Sequence, residues 1–343
     1  MCRLFPLAVL VSIAAVLCAE AGELPKAEPG AVKLSAEKLA KLNPALQKLV
    51  DDGKVAGGVA VVARHGKMAH VTTFGYRDLA SQSPMTEDTI FAIASMTKPI
   101  TCVAVMTLVE QGKIGLDDPV ARYLPEFNDV RVLGDAKDDT AAEFATVAAK
   151  RPVTIRDLLS HTSGISYGLM AGADRLGQAY AKAGIGDQAF KKIAEMVERL
   201  AKAPLAHQPG EGWTYGYSHD VLGRLIEVVS GESLDAYLQE RILAPLDMRD
   251  TFFNVPESKR ARVATIYRAE AGKLTALTTR YGSPTFFSGG GGLYSTARDY
   301  TRFSQMLLNK GELGGVRILK PEMIAEMTTN QIGKHTSLGG TKY

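Results

Sequence analysis

The chain has 343 residues, 46% of them hydrophobic, enough for a large core in one domain or two closely joined ones. Forty Lys and Arg against 37 Asp and Glu leave a formal net charge of +3. No long basic stripe with interleaved aromatics runs through it, which argues against a nucleic-acid partner. Six histidines without an HExxH pattern or a cysteine cluster argue against a metal site, and no cofactor is expected.

The N-terminus reads as an export signal. Arg3 is followed by the apolar stretch Leu4 to Leu17, about 14 residues, short for a membrane span. Ala19-Glu20-Ala21 offers small residues at the cleavage spacing, so residues 1–21 read as a signal peptide and 22–343 as the mature domain. The expected location is periplasmic or secreted. Cys18 raises a lipoprotein possibility, but Leu17 before it is too large for the usual small residue. Cys2 and Cys18 leave with the signal, so Cys102 remains alone and no intrachain disulfide can form. No later apolar run is long enough to cross a membrane.

A helix is predicted over Ala36–Val50. Val55–Ala63 and Met68–Phe74 are β-rich runs around Arg64-His65-Gly66-Lys67, which reads as a hairpin turn. A helical pattern runs from about Ser95 to Gln111 and ends at Gly112-Lys113-Ile114-Gly115. Asp117-Asp118-Pro119 starts a short helical segment through Tyr123. Residues 128–150 read as a polar surface excursion, and Val153–Leu159 as a short helix. Gly164, Gly168 and Gly172 mark a loop-rich stretch. Phe190, Ile193, Met196, Val197 and Leu200 recur at helical spacing within Asp187–Ala203. Asp220–Ser230 and Leu234–Ile242 follow as helices. After the glycine run Gly289–Gly292, a helix over Thr296–Leu308 has Thr296 as its N-cap. Glu322–Met327 is the last. A two-stranded hairpin is not a stable sheet by itself, so further strands are expected.

Ser95-Met96-Thr97-Lys98 carries the chemistry. Residues three apart on a helix share a face. A lysine on that face, in a buried helix, can serve as the base that activates the serine hydroxyl. The positive end of the helix backbone would stabilise negative charge developing on Ser95. S-x-x-K is short, and by itself it also arises by chance.

Phe91 to Lys98, FAIASMTK, resembles the nucleophile segment of the serine β-lactamase and penicillin-binding superfamily. Leu158 to Gly164 (LLSHTSG), Pro245-Leu246-Asp247-Met248 with Asp250-Thr251-Phe252, and Gly290 to Arg302 (GGGLYSTARDYTR) are similar to signatures of its class C branch, which holds class C β-lactamases, D-alanyl peptidases and family VIII carboxylesterases. The likeness covers roughly residues 35–343. It implies an α+β fold (an α/β sandwich), β-lactamase/transpeptidase-like: an antiparallel sheet flanked by helices, with a mostly helical subdomain over about 115–285.

The branch's second motif is a tyrosine followed two residues later by asparagine. Within Trp213 to Gly223 the resemblance puts the catalytic tyrosine at Tyr215, and the asparagine position falls on Tyr217. An alternative puts the active tyrosine at Tyr217 with His219 two residues on, and these aromatics also read as simple packing over the next helix. Without that asparagine the chain looks more like the esterases of the branch than its penicillin-recognising enzymes. The resemblance implies catalysis by Ser95, Lys98 and Tyr215, with Tyr217, Gly290 and Gly291 lining the substrate site. It implies an ester or amide small molecule as substrate, and a monomer.

The branch also has a third motif, a lysine, histidine or tryptophan two residues before a glycine, on a strand facing the serine. Lys342-Tyr343 and Lys334-His335-Thr336-Ser337 match it poorly. The expectation is therefore that C-terminal strands lie past Tyr343, and that the chain as written is poorly stable or inactive alone. One missing oxyanion donor can cost about 3–4 kcal/mol in the transition state. Gly164-Ile165-Ser166-Tyr167-Gly168 fits G-x-S-x-G, but that elbow needs a preceding strand and a following helix, and neither is predicted here. The leading expectation is an exported ester hydrolase. The alternatives are a β-lactamase or D-alanyl carboxypeptidase, and an inactive binding protein.

Overall fold

A computed structural model describes residues 24–138, 144–168, 175–185, 190–270, 272–278 and 281–333. The expected signal segment, Gly172, Asp187 and the stretch from Lys334 onward lie outside the described residues. Near the N-terminus the expected single helix is two, α1 (Ala36–Ala40) and α2 (Leu42–Asp51). Pro44 explains the break: it has no N–H to give the Ala40 carbonyl, and its ring crowds that group. The hairpin forms as expected, from β1 (Gly57–Arg64) and β2 (Lys67–Asp78). At its turn His65 and Gly66 both take positive φ, 52° and 74°, the mirror-image turn whose twist suits a two-residue hairpin. The short β3 (Ser83–Pro84) adds antiparallel to β2, giving sheet order β1-β2-β3.

β4 (Phe91–Ala92) leads into a 3-10 turn at Ala94–Met96 and then α3 (Thr97–Glu110). Ile100, Val103, Ala104, Val105 and Leu108 of α3 have no exposed surface. Each of these side chains larger than alanine contributes about 1.5–3 kcal/mol of burial. Burial on every side explains why this helix has no polar face. It ends where Gly112 takes φ 69°.

The excursion after residue 128 holds a two-stranded ribbon, β5 (Arg131–Leu133) with β6 (Thr146–Ala148). α4 (Ile155–Leu159) starts with a capping box between Thr154 and Asp157. α5 (Arg175–Lys182) follows the glycine-marked loop-rich stretch, where no helix was expected. α6 (Ile193–Leu200) begins after Phe190, shorter than expected, with Ile193, Met196, Val197 and Leu200 buried. α7 (Ser218–Ser230) and α8 (Leu234–Leu238) follow, the latter continuing into one π turn, Gln239–Leu243. A second unanticipated ribbon pairs β7 (Tyr267–Glu270) with β8 (Lys273–Ala276). β9 (Tyr294–Ser295) pairs with β4. Thr296 caps α9 (Ala297–Leu308) as expected, its Oγ1 accepting from Asp299 N at 3.2 Å. β10 (Glu312–Leu313), β11 (Val316–Arg317) and α10 (Pro321–Thr328) close the described chain.

α2 packs on β2 and α9 on β1, so helices flank the antiparallel sheet. α3 packs against α7 and α8, in a core that also takes in buried residues of α4, α6 and α9. The architecture is α+β, as expected. Its consequence for the site is simple. The β4–β9 pair brings residue 91 beside residue 295, so the glycine run before β9 lies against the start of α3.

Candidate active site

Ser95 lies in the 3-10 turn that opens α3, exposed to solvent, while Lys98 beneath it is buried, 6% exposed. Lys98 Nζ is 3.2 Å from Ser95 Oγ. The turn is held tightly. Ile93 N donates to Leu293 O (3.0 Å), Met96 N to Ile93 O (3.0 Å), and the Tyr300 hydroxyl to Met96 O (3.0 Å). Ala94 takes a left-handed φ of 44°. That conformation costs a non-glycine residue roughly 1–2 kcal/mol, and such strain collects at functional sites.

Two further groups meet the lysine. Its Nζ donates to Gly290 O at 2.7 Å and to the Tyr167 hydroxyl at 3.1 Å. The loop carrying Gly290 is fastened from both sides. From α3, Thr101 Oγ1 donates to Gly289 O (2.8 Å) and Thr97 Oγ1 accepts from Leu293 N (3.1 Å). From α7, Asp220 Oδ1 accepts from Ser288 Oγ (2.5 Å) and Gly290 N (3.2 Å). Side chains are excluded here: a Cβ on Gly290 would sit 2.3 Å from Asp220 Oδ2, and one on Gly289 2.4 Å from His219 O. Burial raises the Asp220 carboxyl, while its hydrogen bonds and the Lys98 charge pull it back.

Tyr215 stands next to the lysine, but with its ring: Nζ lies 4.6 Å from the ring centroid. The hydroxyl that hydrogen-bonds Nζ belongs to Tyr167. Burial, then the negative charge of Asp220, raises the Tyr167 phenol above its ordinary range, so it stays neutral. Tyr217, read as lining the substrate site, is the N-cap residue of α7, and its ring meets Tyr167 edge-on at 4.5 Å. Burial, and secondarily Asp220, raises its phenol too. Gly290 faces the lysine with its carbonyl, and Gly291 lies against the Ala94 backbone with room for a Cβ, whose nearest neighbour would be at 3.7 Å.

His161 ties its loop through the backbone: its carbonyl accepts from Thr214 N at 2.9 Å. The imidazole itself acts by packing, with ring centroids 4.7 Å from both Tyr215 and His219, and its buried Nδ1 has no partner. Burial and the Lys98 charge lower it to about 3, so it stays neutral. His219 Nε2 sits 3.2 Å from Cys102 Sγ, and burial pushes that thiol up to about 12, which suits an inert thiol. Ser166 has the surroundings of a structural residue. Its N donates to the Tyr180 hydroxyl (2.9 Å), its Oγ accepts from Gly168 N (3.1 Å), and it lies in a loop. Among the described residues no three His, Cys, Asp or Glu side chains could hold a metal, and no helix is long and apolar enough to cross a membrane.

Three residues of this constellation escaped the sequence reading: Tyr167, Asp220 and Ser288. Tyr167 was in view, inside the G-x-S-x-G match, where attention falls on the serine. No local signal marks Asp220 or Ser288, which meet Gly290 only through the fold.

The Beta-lactamase family model matches residues 42–342. Protein Rv1367c of Mycobacterium tuberculosis is 39% identical over 302 residues, 86% of this chain and 73% of that protein. Esterase EstB of Burkholderia gladioli is 35% identical over 297 residues, 80% of this chain and 71% of EstB. Among solved structures, EstCE1, described as a hydrolase with promiscuous acyltransferase activity, superposes with a TM-score of 0.70 at 29% identity, covering 84% of this chain and 76% of its own. The chain belongs to the Beta-lactamase family, on its esterase-like side, and is a serine hydrolase.

Proposed function

We propose that the protein is an exported carboxylic-ester hydrolase working through an acyl-Ser95 intermediate. The observation that carries the reading is the hydrogen-bond pattern of Lys98. A lysine ammonium has three N–H donors, and loss of one proton leaves a lone pair in its place. The Gly290 carbonyl and the Tyr167 hydroxyl take two donors, at 2.7 and 3.1 Å. The third direction of Nζ points at Ser95 Oγ, 3.2 Å away, so the lone pair that appears there when Lys98 gives up a proton faces the Ser95 hydroxyl. Ser95 Oγ attacks the ester carbonyl as its proton moves to Lys98. The Ser95 N–H, at the open start of the turn, has no helical acceptor and can face the oxyanion. A proton passes through Tyr215 to the departing alkoxide, and water then hydrolyses the acyl-serine. The names of EstB and EstCE1 support ester over lactam, as does Tyr217 at the position where penicillin-recognising enzymes carry asparagine. Export rests on the reading of residues 1–21.

In the full gene product, short-chain nitrophenyl ester hydrolysis should exceed nitrocefin hydrolysis at least about 100-fold in kcat/KM, with a fluorophosphonate adduct mapping to Ser95 by mass spectrometry. Faster nitrocefin turnover, or an adduct on another serine, defeats the proposal.

A second reading gives the proton relay to Tyr167, favoured by its hydrogen bond to Nζ. Tyr215→Phe is expected to lower kcat about 100-fold or more, and Tyr167→Phe only about 10-fold. The reverse order in the same ester assay would exchange their roles.

A further inference from the structure

We propose that Asp220 is a positioning residue, which aims the Lys98 amine at Ser95 by clamping the peptide at Gly290. The inference rests on the Ser95–Lys98 reading and extends it to a residue that touches neither reacting atom.

A glycine peptide has little of its own to stop it rotating. The carbonyl of Gly290 is nevertheless the closest hydrogen-bond partner of Nζ, at 2.7 Å. If that peptide turned, the amine would lose an acceptor and its lone pair would swing away from Ser95. On the α3 side the loop is pinned at Gly289 and Leu293, on either side of the critical peptide. Among the described residues, Asp220 is the side chain that accepts from the Gly290 N–H, and it binds the Ser288 hydroxyl with the same oxygen. The carboxylate is buried, 2% exposed, and its second oxygen fills the space a Cβ on Gly290 would need. Lys98 and Asp220 form no direct ion pair; the contact between them runs through the Gly290 peptide. The role is therefore one of geometry and hydrogen-bond acceptance. Shifting such a base by about 1 Å can cost on the order of 100-fold in rate.

The test is a kinetic series in the full gene product with a nitrophenyl ester: Asp220→Ala, Asp220→Asn, Ser288→Ala, and the double variant Asp220→Ala/Ser288→Ala. Asn keeps an acceptor oxygen at the same size, whereas Ala keeps none. Expected are a kcat loss of about 10–100-fold for Asp220→Ala with KM within about twofold, and recovery to within about fivefold of wild type for Asp220→Asn. Ser288→Ala should lose a few-fold, and nothing further once Asp220 is Ala, because both act through one clamp. Asp220→Ala turning over like wild type would overturn the proposal. So would Asp220→Asn as poor as Asp220→Ala, which would mark charge and not hydrogen-bond acceptance as the contribution. Circular dichroism reports the folded fraction; if Asp220→Ala does not fold, Asp220→Asn and Ser288→Ala still decide, a kcat loss confined to Ser288→Ala supporting the clamp and its absence refuting it. Ser95→Ala runs alongside: residual turnover there defeats the parent reading, while a dead Ser95→Ala beside a normal Asp220→Ala defeats only the clamp.

Discussion

Ser95→Ala is expected to lower ester turnover by about 10^4-fold or more and to abolish covalent labelling, with the melting temperature nearly unchanged. Ser95 is exposed and its Oγ makes one hydrogen bond, from Lys98 Nζ, so removing that oxygen should scarcely touch stability. The chemistry loses its nucleophile entirely. Lys98→Met should cost roughly 10^3-fold in the same assay, since the unbranched apolar side chain fills most of the buried space but supplies no basic nitrogen. Lys98→Met should also melt lower. The Gly290 carbonyl and the Tyr167 hydroxyl would then each lose a partner, at about 1–3 kcal/mol for a buried group left unpaired. A Ser95→Ala protein that still labels, or a Lys98→Met protein at wild-type rate, would remove the basis of the proposed mechanism.

The second large effect is on stability in acid. His161 and His219 are both buried neutral in the fold, burial holding His161 at about 3 and His219 well below the ordinary 6.5. Each is therefore a base with a depressed folded value. Its contribution is complete above about pH 6.5 and is lost as pH falls, because the unfolded chain binds protons that the folded chain refuses. For a histidine at 6.5 unfolded and about 3 folded, the loss reaches about 2 kcal/mol by about pH 5. The carboxyls of Asp220 and Asp299, raised by burial, act the other way, since they bind protons more readily in the fold. His161→Phe isolates the histidine term. Its urea unfolding free energy should change less between pH 7 and 5 than that of wild type, by about 2 kcal/mol. Identical slopes in the two proteins would mean that His161 takes up a proton without opposition and that its burial is not what the fold indicates.

The pattern of hits and misses along the chain has a physical cause. Hairpin β1–β2, helix α3 and helix α9 were legible because each is a local rule at work: a turn with Gly66, a run of apolar residues, Thr296 as a cap. The ribbons β5–β6 and β7–β8 were not, because most of their residues are exposed or half-buried on both faces and leave no alternation to read. α5 follows the stretch that Gly164, Gly168 and Gly172 mark as loop-rich and was not read as a helix, although its own eight residues bury Leu176, Ala179 and Tyr180. The split between α1 and α2 was also open to a sequence argument, since Pro44 is enough to explain it.

For the site itself, the sequence alone determined the meeting of Ser95 with Lys98. Two residues three apart on one helical turn must share a face, whatever the rest of the chain does. The third group was a different matter. The sequence pointed to Tyr215, and the fold presents the ring of Tyr215 and the hydroxyl of Tyr167 to the same nitrogen. Tyr167 lies 69 positions from Lys98, Gly290 lies 192 positions away, and Asp220 reaches the lysine only through that glycine. Which hydroxyl, carbonyl and carboxylate arrive at the amine depends on how α3, α7 and the β4–β9 pair pack. No periodicity or short spacing encodes that, because the contacts join segments whose separation in sequence is set by everything folded in between.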